Sequence, residues 1–266
     1  MAIYLYFMTQ RSRDKDKLGI GPRSYRKHHL MNIAARAQIG VLNRVIGGHG
    51  VVIDMHASDG HGADEPQLVI PFQDLDLFDL AISDASPITA ERLARLCNPP
   101  ADVLLCESSY EKRQRLRALF HHTQHVSILQ NHTRLMQTDF SLYRWALIFN
   151  DPCGHSGHGV EVLEYLSRTI PKSDFIIVVN EGSLGRHLGM NENGEDNGEN
   201  AHLIAGARET KEFYRWMLDP HQWRIRLGKK EVCWYGAKVM NKAFHGRVLV
   251  VSNYLADPLR KNGWKH

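Results

Sequence analysis

Polar residues close a series of short apolar runs in this chain of 266 residues, and their types suit a nucleotide-like ligand. Asp54 ends Val51-Val52-Ile53, Glu107 ends the run from Ala101, and Asn131 ends the run from His125. Asp151 follows Trp145–Asn150, and Asn180-Glu181 close the run from Asp174. A carboxylate can accept from both hydroxyls of an adenosine ribose, which is a chemical reason for Glu107 to be acidic. After Asp54 come Ala57, Ser58, Gly60 and Gly62, small residues that let the backbone turn tightly and approach a ligand. The spacing differs from the G-x-G-x-x-G dinucleotide pattern. No G-x-x-x-x-G-K-[ST] cradle occurs, so ATP hydrolysis of that kind is not expected.

Such residues work only if they are carried to one edge, and the intervening segments read as the elements that do this. From Tyr25 to Ile46, Leu30, Ile33, Ala34, Ala37, Val41 and Val45 recur at helical spacing, and Gly47-Gly48 ends the helix. Ser86-Pro87 opens a second helix to Leu96, with serine as cap and proline in the first turn. A polar helix follows Glu107 from Ser108 to Phe120, and another runs from Val160 to Arg168. Strand and helix alternate five times, which predicts an α/β fold with a mostly parallel sheet covered on both faces. Ligands bind such sheets at the carboxyl ends of the strands.

Beyond the fifth run, Glu209–Leu218 reads as a helix, and Glu231–Met240 and Gly246–Asn253 read as strands. The expected organisation is one domain over residues 25–256, preceded by a lead-in at 1–24 and followed by a basic tail at 257–266. Polar insertions are expected near 61–84 and 185–205; Pro71–Ile82 reads as a hairpin or a cover, and Met190–Asn200 as a mobile loop. The formal charge of +4 is compatible with a nucleic-acid partner and equally with an ordinary basic surface. The cysteines Cys97, Cys106, Cys153 and Cys233 lack zinc-site spacing, and the 16 histidines include no H-E-x-x-H, so no metal is expected. Reduced cytoplasmic thiols fit best, and no apolar run approaches the roughly 18 residues of a membrane helix.

The order of these features resembles class I S-adenosylmethionine-dependent methyltransferases, and more closely the three-Cys-motif partner proteins of that fold. The matching stretches are D-M-H-A-S-D-G from Asp54 to Gly60, S-P-I-T-A-E from Ser86 to Glu91, C-E-S-S-Y-E-K-R-Q-R-L from Cys106 to Leu116, and D-P-C-G from Asp151 to Gly154. K-H-H-L-M from Lys27 fits loosely, and the D-x-H-A form of the first loop is also similar to a bacterial large-subunit ribosomal RNA adenine-N6 methyltransferase family. The resemblance, over about residues 25–180, implies a Rossmann-like domain that binds S-adenosylmethionine. It implies a cofactor set of Asp54, His56, Ala57, Ser58, Gly60, Glu107, Ser108 and Asn131. Asp54, Ala57 and Gly60 would shape the methionine end, Glu107 the ribose and Asn131 the adenine edge, with Asp151, Pro152 and Cys153 facing the acceptor.

Two departures from the family pattern bear on function. Ser58 stands where the family has its first glycine, and Cys153 stands where adenine-N6 enzymes carry an aromatic ring. A Pro-Cys pair here also resembles cytosine-C5 enzymes, in which a thiolate adds to the base; Glu181 and Gln222–Arg226 would then serve the base. A packed, unreactive Cys153 and a solvated or acid-paired strand face for Arg224 and Arg226 are the plainer readings. The expected activity is methyl transfer to a nucleic-acid base, DNA or RNA, with adenine N6 ahead. The alternatives are the cytosine-C5 route, or a degenerate methyltransferase fold acting as a binding or regulatory module with a protein partner.

Overall fold

Seven short runs of extended chain, β1 (Gly50–Asp54), β2 (Asp102–Cys106), β3 (Val126–Leu129), β4 (Trp145–Asn150), β5 (Ser173–Val179), β6 (Glu231–Tyr235) and β7 (Arg247–Ser252), pair into one sheet. The computed structural model describes residues 22–59, 86–152, 158–179, 216–235, 247–257 and 259. The strand order is β3-β2-β1-β4-β5-β7-β6. The first five strands are mutually parallel, and β7 runs antiparallel to both β5 and β6. This is the mostly parallel, Rossmann-like arrangement of the class I methyltransferase fold.

The strands β1, β4 and β5 are buried along their whole length, which is why they read as continuous apolar runs and not as alternating ones. Alternate strand residues feed two cores. Val52, Val103, Leu105, Leu147, Phe149 and Ile176 face helices α1 (Pro22–Val41), α2 (Ser86–Arg95) and α3 (Tyr110–Leu119). Val51, Ile53, Leu104, Ile148 and Phe175 face α4 (Val160–Thr169), α5 (Pro220–Arg226) and the 3-10 turn His132–Gln137.

Two readings change in the structure. The buried stripe of α1 and its π-helical continuation Leu42–Ile46 is Met31, Ala34, Ala35, Gln38, Ile39 and Leu42, whereas Ile33 and Val45 are exposed. A glutamine in mid-stripe hid the true face. Gln38 is fully buried because its amide donates to Asp174 (2.7 Å), to Ser252 Oγ (3.0 Å) and to the Tyr254 carbonyl (2.6 Å), tying α1 to β5 and β7. Arg224 and Arg226 lie on helix α5, not on a strand. Asp219 caps that helix through the His221 N–H, Pro220 starts it, and Trp223 and Leu227 bury one face at i,i+4 spacing. Arg226 pairs with Glu164.

Gly60, the insertion at 61–84, Cys153, Asn180-Glu181, the segment 185–205 and the tail beyond 259 lie outside the described residues, as does the lead-in before Pro22. Of the helix expected at 209–218 and the strand expected at 231–240, only 216–218 and 231–235 are described. Among the described residues, no helix is long and apolar enough to cross a membrane.

Candidate functional site

The strand order reverses between β1 and β4, and sheets of this kind bind ligands at the carboxyl ends beside such a switch point. Asp54 ends β1, Glu107 follows β2 and Asp151 follows β4, so all three stand on that edge of the sheet. The chain after Asp54 stays bound to the sheet: the Met55 N–H donates to the Phe149 carbonyl (3.0 Å) and the Ala57 N–H to the Cys106 carbonyl (3.0 Å). The first loop is therefore anchored alternately to β4 and β2. Ala57 is fully buried in the core, so its part in a ligand site is the course of its backbone.

Ser58 answers the question posed by the missing glycine. Its φ is 54°, the left-handed region that glycine enters without cost. Serine here keeps the turn. Its Oγ accepts from Lys112 Nζ (3.3 Å), and Asp59 pairs with Arg115 (2.9 Å), so α3 holds the loop from the side.

Asp54 is 1 % exposed. Its Oδ1 accepts from the His56 N–H (3.0 Å), while its buried Oδ2 makes no hydrogen bond. Burial raises its carboxyl from the ordinary 3.8 to about 6; the Ser86 hydroxyl and the His56 N–H act against this, and repulsion from Asp151 and Glu107 adds to it. Helix α2, which Ser86 opens, packs beside β1. Burial next to Asp54 also pushes the Cys106 thiol far up, leaving it an inert packing group.

Glu107 directly follows β2. Its Oε1 accepts from the Ser109 N–H (2.7 Å) and the Ser108 hydroxyl (3.5 Å). Arg113 was not expected to matter, yet it is buried and donates through one nitrogen to the carbonyls of Glu107 (2.9 Å), Ser108 (2.5 Å) and Gln130 (3.4 Å). It clamps the turn that presents Glu107. The available signal was its i,i+3 spacing to Leu116, the other buried residue of α3. Asn131 caps the 3-10 turn, its Oδ1 accepting from Thr133 Oγ1 (2.6 Å) and the Arg134 N–H (3.3 Å). Its amide nitrogen is the part left to meet a ligand.

At the fourth strand end, Asp151 is partly exposed and Pro152 buried. Asn150, fully buried, donates to the His158 carbonyl (2.9 Å) and so fastens the returning chain beside the Asp151-Pro152 step. The next residue, Gly159, has φ 55°, and a Cβ there would meet His132 Cδ2 at 2.8 Å and Nε2 at 2.9 Å. His132 also lies 5.2 Å, ring to ring, from His56, and its burial lowers its pKa. Neither His132 nor His158 stood out in sequence, because histidines are scattered throughout the chain. Among the described residues, no three His, Cys, Asp or Glu side chains are grouped to hold a metal.

No protein-family model matches the sequence, and no curated protein matches it either. Among solved structures, the fold is similar to protein LPL1258 from Legionella pneumophila, at 14% identity over 84% of each chain with a TM-score of 0.52. A looser likeness is to an rRNA methylase from Streptococcus thermophilus, at 10% identity over 89% of this chain and 99% of the other, with a TM-score of 0.45. Another is to the N-methyltransferase NodS from Bradyrhizobium japonicum in complex with S-adenosyl-L-homocysteine, at 9% identity over 90% and 91%, with a TM-score of 0.43. The first likeness shows the fold and nothing finer. The closer resemblance to three-Cys-motif partner proteins therefore finds no support beyond the shared class I architecture.

Proposed function

We propose that this chain is an S-adenosylmethionine-dependent methyltransferase acting on a nucleic-acid base, with the exocyclic N6 amine of adenine as the favoured acceptor. The observation that carries the reading is the placing of three carboxylates, a buried Asp54 with Glu107 and Asp151, at the carboxyl ends of the neighbouring strands β1, β2 and β4, beside the switch point of the sheet. Gathering negative charge where one carboxylate is already buried is costly, and a cationic ligand offsets that cost. S-adenosylmethionine is such a ligand, bearing a sulfonium, an ammonium and two ribose hydroxyls. The hydrogen-bond-short Oδ2 of Asp54 and the presented carboxylate of Glu107 fit it.

In this reading Glu107 accepts from the ribose hydroxyls, Arg113 keeps its turn in place, and Asn131 offers its amide to the adenine edge. Asp54, Ala57 and Gly60 shape the methionine end, and His56, Ser58 and Ser108 belong to the same proposed cofactor set. The bound cofactor supplies an electrophilic methyl group on sulfur. The protein's work is alignment of the acceptor lone pair, which accounts for most of the rate in such a transfer. Asp151 accepts a hydrogen bond from the acceptor amine, drawing electron density towards its nitrogen, and Pro152 with the Asn150–His158 link keeps that carboxylate still. The left-handed Ser58 favours an active site over a degenerate one, since the turn survives without the glycine.

Calorimetry with S-adenosylmethionine, comparing wild type with Glu107→Ala, tests the cofactor. No heat of binding at high micromolar concentration, with the two proteins indistinguishable, would sink the proposal. Mass spectrometry of nucleosides from treated DNA and RNA identifies the acceptor base; transfer to neither restores the binding-module alternative.

A further inference from the structure

We infer that the β3 edge of the sheet is a docking surface for the phosphate backbone of RNA flanking an unpaired acceptor base. The inference rests on the methyltransferase reading for the position of that base. Between Ser108 and Gln137 the chain carries five Lys or Arg residues, Lys112, Arg113, Arg115, Arg117 and Arg134, against a single acid, Glu111. The same stretch holds four histidines, His121, His122, His125 and His132. The fold places this excess on both sides of one edge strand. Helix α3 packs on one face through Leu116, and the 3-10 turn packs on the other through Leu135.

Little of that charge is neutralised. Arg115 pairs with Asp59, but Lys112 donates to the Ser58 hydroxyl, Arg134 to the Gln137 amide oxygen (2.7 Å), and Arg113 to carbonyls. Arg117 is exposed and has no acidic partner among the described residues. Cations held by neutral acceptors keep their field, and a ridge of them fits a polyanion. β3 and β4 are three strand spacings apart, about 14 Å at ~4.8 Å each, so a few nucleotides connect this ridge to Asp151.

RNA fits the edge better than duplex DNA. A base must leave the stack to be modified, and single-stranded RNA presents such bases, which proteins stack on aromatic rings. Tyr110 stands at the start of α3, 65 % exposed, with the Arg113 guanidinium 5.8 Å from its ring centre, directly after the turn that presents Glu107. It is a stacking platform at the junction of the ridge and the candidate cofactor pocket.

The test is fluorescence anisotropy with a labelled RNA hairpin carrying an unpaired adenine-containing loop, titrated across a series of salt concentrations. Arg117→Ala and Arg134→Ala, both exposed and outside the catalytic machinery, should each flatten the log-log salt dependence by about 0.7, and the double variant by about 1.4. Arg224→Ala on α5, near the opposite edge, should leave it unchanged. Unaltered slopes in the double variant, or equal loss in Arg224→Ala, overturn the inference. Duplex DNA bound as tightly as the hairpin overturns the assignment to RNA, and an acidic polypeptide that competes as well as RNA at equal charge points to a protein partner instead. Calorimetry with S-adenosylmethionine on the same variants separates the two readings. Cofactor binding should be unchanged in all of them; RNA binding with these slopes but no cofactor binding in wild type would sink the enzyme and leave the surface standing.

Discussion

Replacing Asp54 by asparagine should make the ligand-free protein more stable near neutral pH while abolishing cofactor binding. The carboxyl rises from 3.8 to about 6 on folding, chiefly through burial, so the folded protein holds this proton more tightly than the unfolded chain. The contribution therefore favours folding below about pH 4 and is lost as the pH climbs through about 6. A shift of about two units corresponds to roughly 3 kcal/mol of destabilisation by the ionised group at pH 7 and above. Asparagine keeps the oxygen that accepts from the His56 N–H but brings a buried amide donor, a cost of about 1 kcal/mol or more. The net gain above pH 7 is then about 2 kcal/mol, shrinking to a net loss near pH 4. Urea denaturation of both proteins across this range reads the difference directly, and subtracting the two curves removes the contributions of Asp174 and Lys229, also shifted by burial. A difference that does not vary with pH would refute the reasoning. So would retention of wild-type affinity for S-adenosylmethionine, because a buried carboxylate that serves a cationic ligand cannot be neutralised without weakening that ligand's binding.

Other expectations follow from single residues. Glu107→Ala should weaken S-adenosylmethionine binding by one to two orders of magnitude, the loss of charge-assisted hydrogen bonds of about 1.5–3 kcal/mol, and calorimetry measures it. Ser58→Gly should leave stability within about 1 kcal/mol of wild type, relief at φ 54° offsetting the lost Lys112 contact, whereas Ser58→Val should destabilise by about 1–2 kcal/mol in the same denaturation assay. Gly159→Ala should lower stability by at least about 2 kcal/mol, since it adds a left-handed alanine to a close contact with His132; pairing it with His132→Ala should recover only the contact part. Cys153→Ser should retain methyl transfer in a tritium assay, and complete loss would favour covalent attack on a pyrimidine ring.

The apolar strands that lead to Asp54, Glu107 and Asp151 were legible in sequence because a strand buried on both faces has a continuous composition that few other elements share. Their order along the chain also implied the mostly parallel sheet that the structure contains. Less legible was anything that depends on a polar residue being inside. The buried face of α1 turns on Gln38, which belongs in the core only because Asp174, Ser252 and the Tyr254 carbonyl arrive from more than a hundred residues away. The strand face expected for Arg224 and Arg226 is instead part of helix α5, because the burial of Trp223 with Leu227 decides its period.

At the site the same division holds. Residue types and local spacing determined that acids would stand at strand ends and that the first loop would be made of small residues. Only tertiary structure decided that three carboxylates share one edge, that Ser58 keeps glycine's turn, and that Arg113 and His158 hold the turns that present Glu107 and Asp151. Charge repulsion, burial and hydrogen-bond partnership are properties of groups brought together across the sheet, and a linear pattern carries no distance between them.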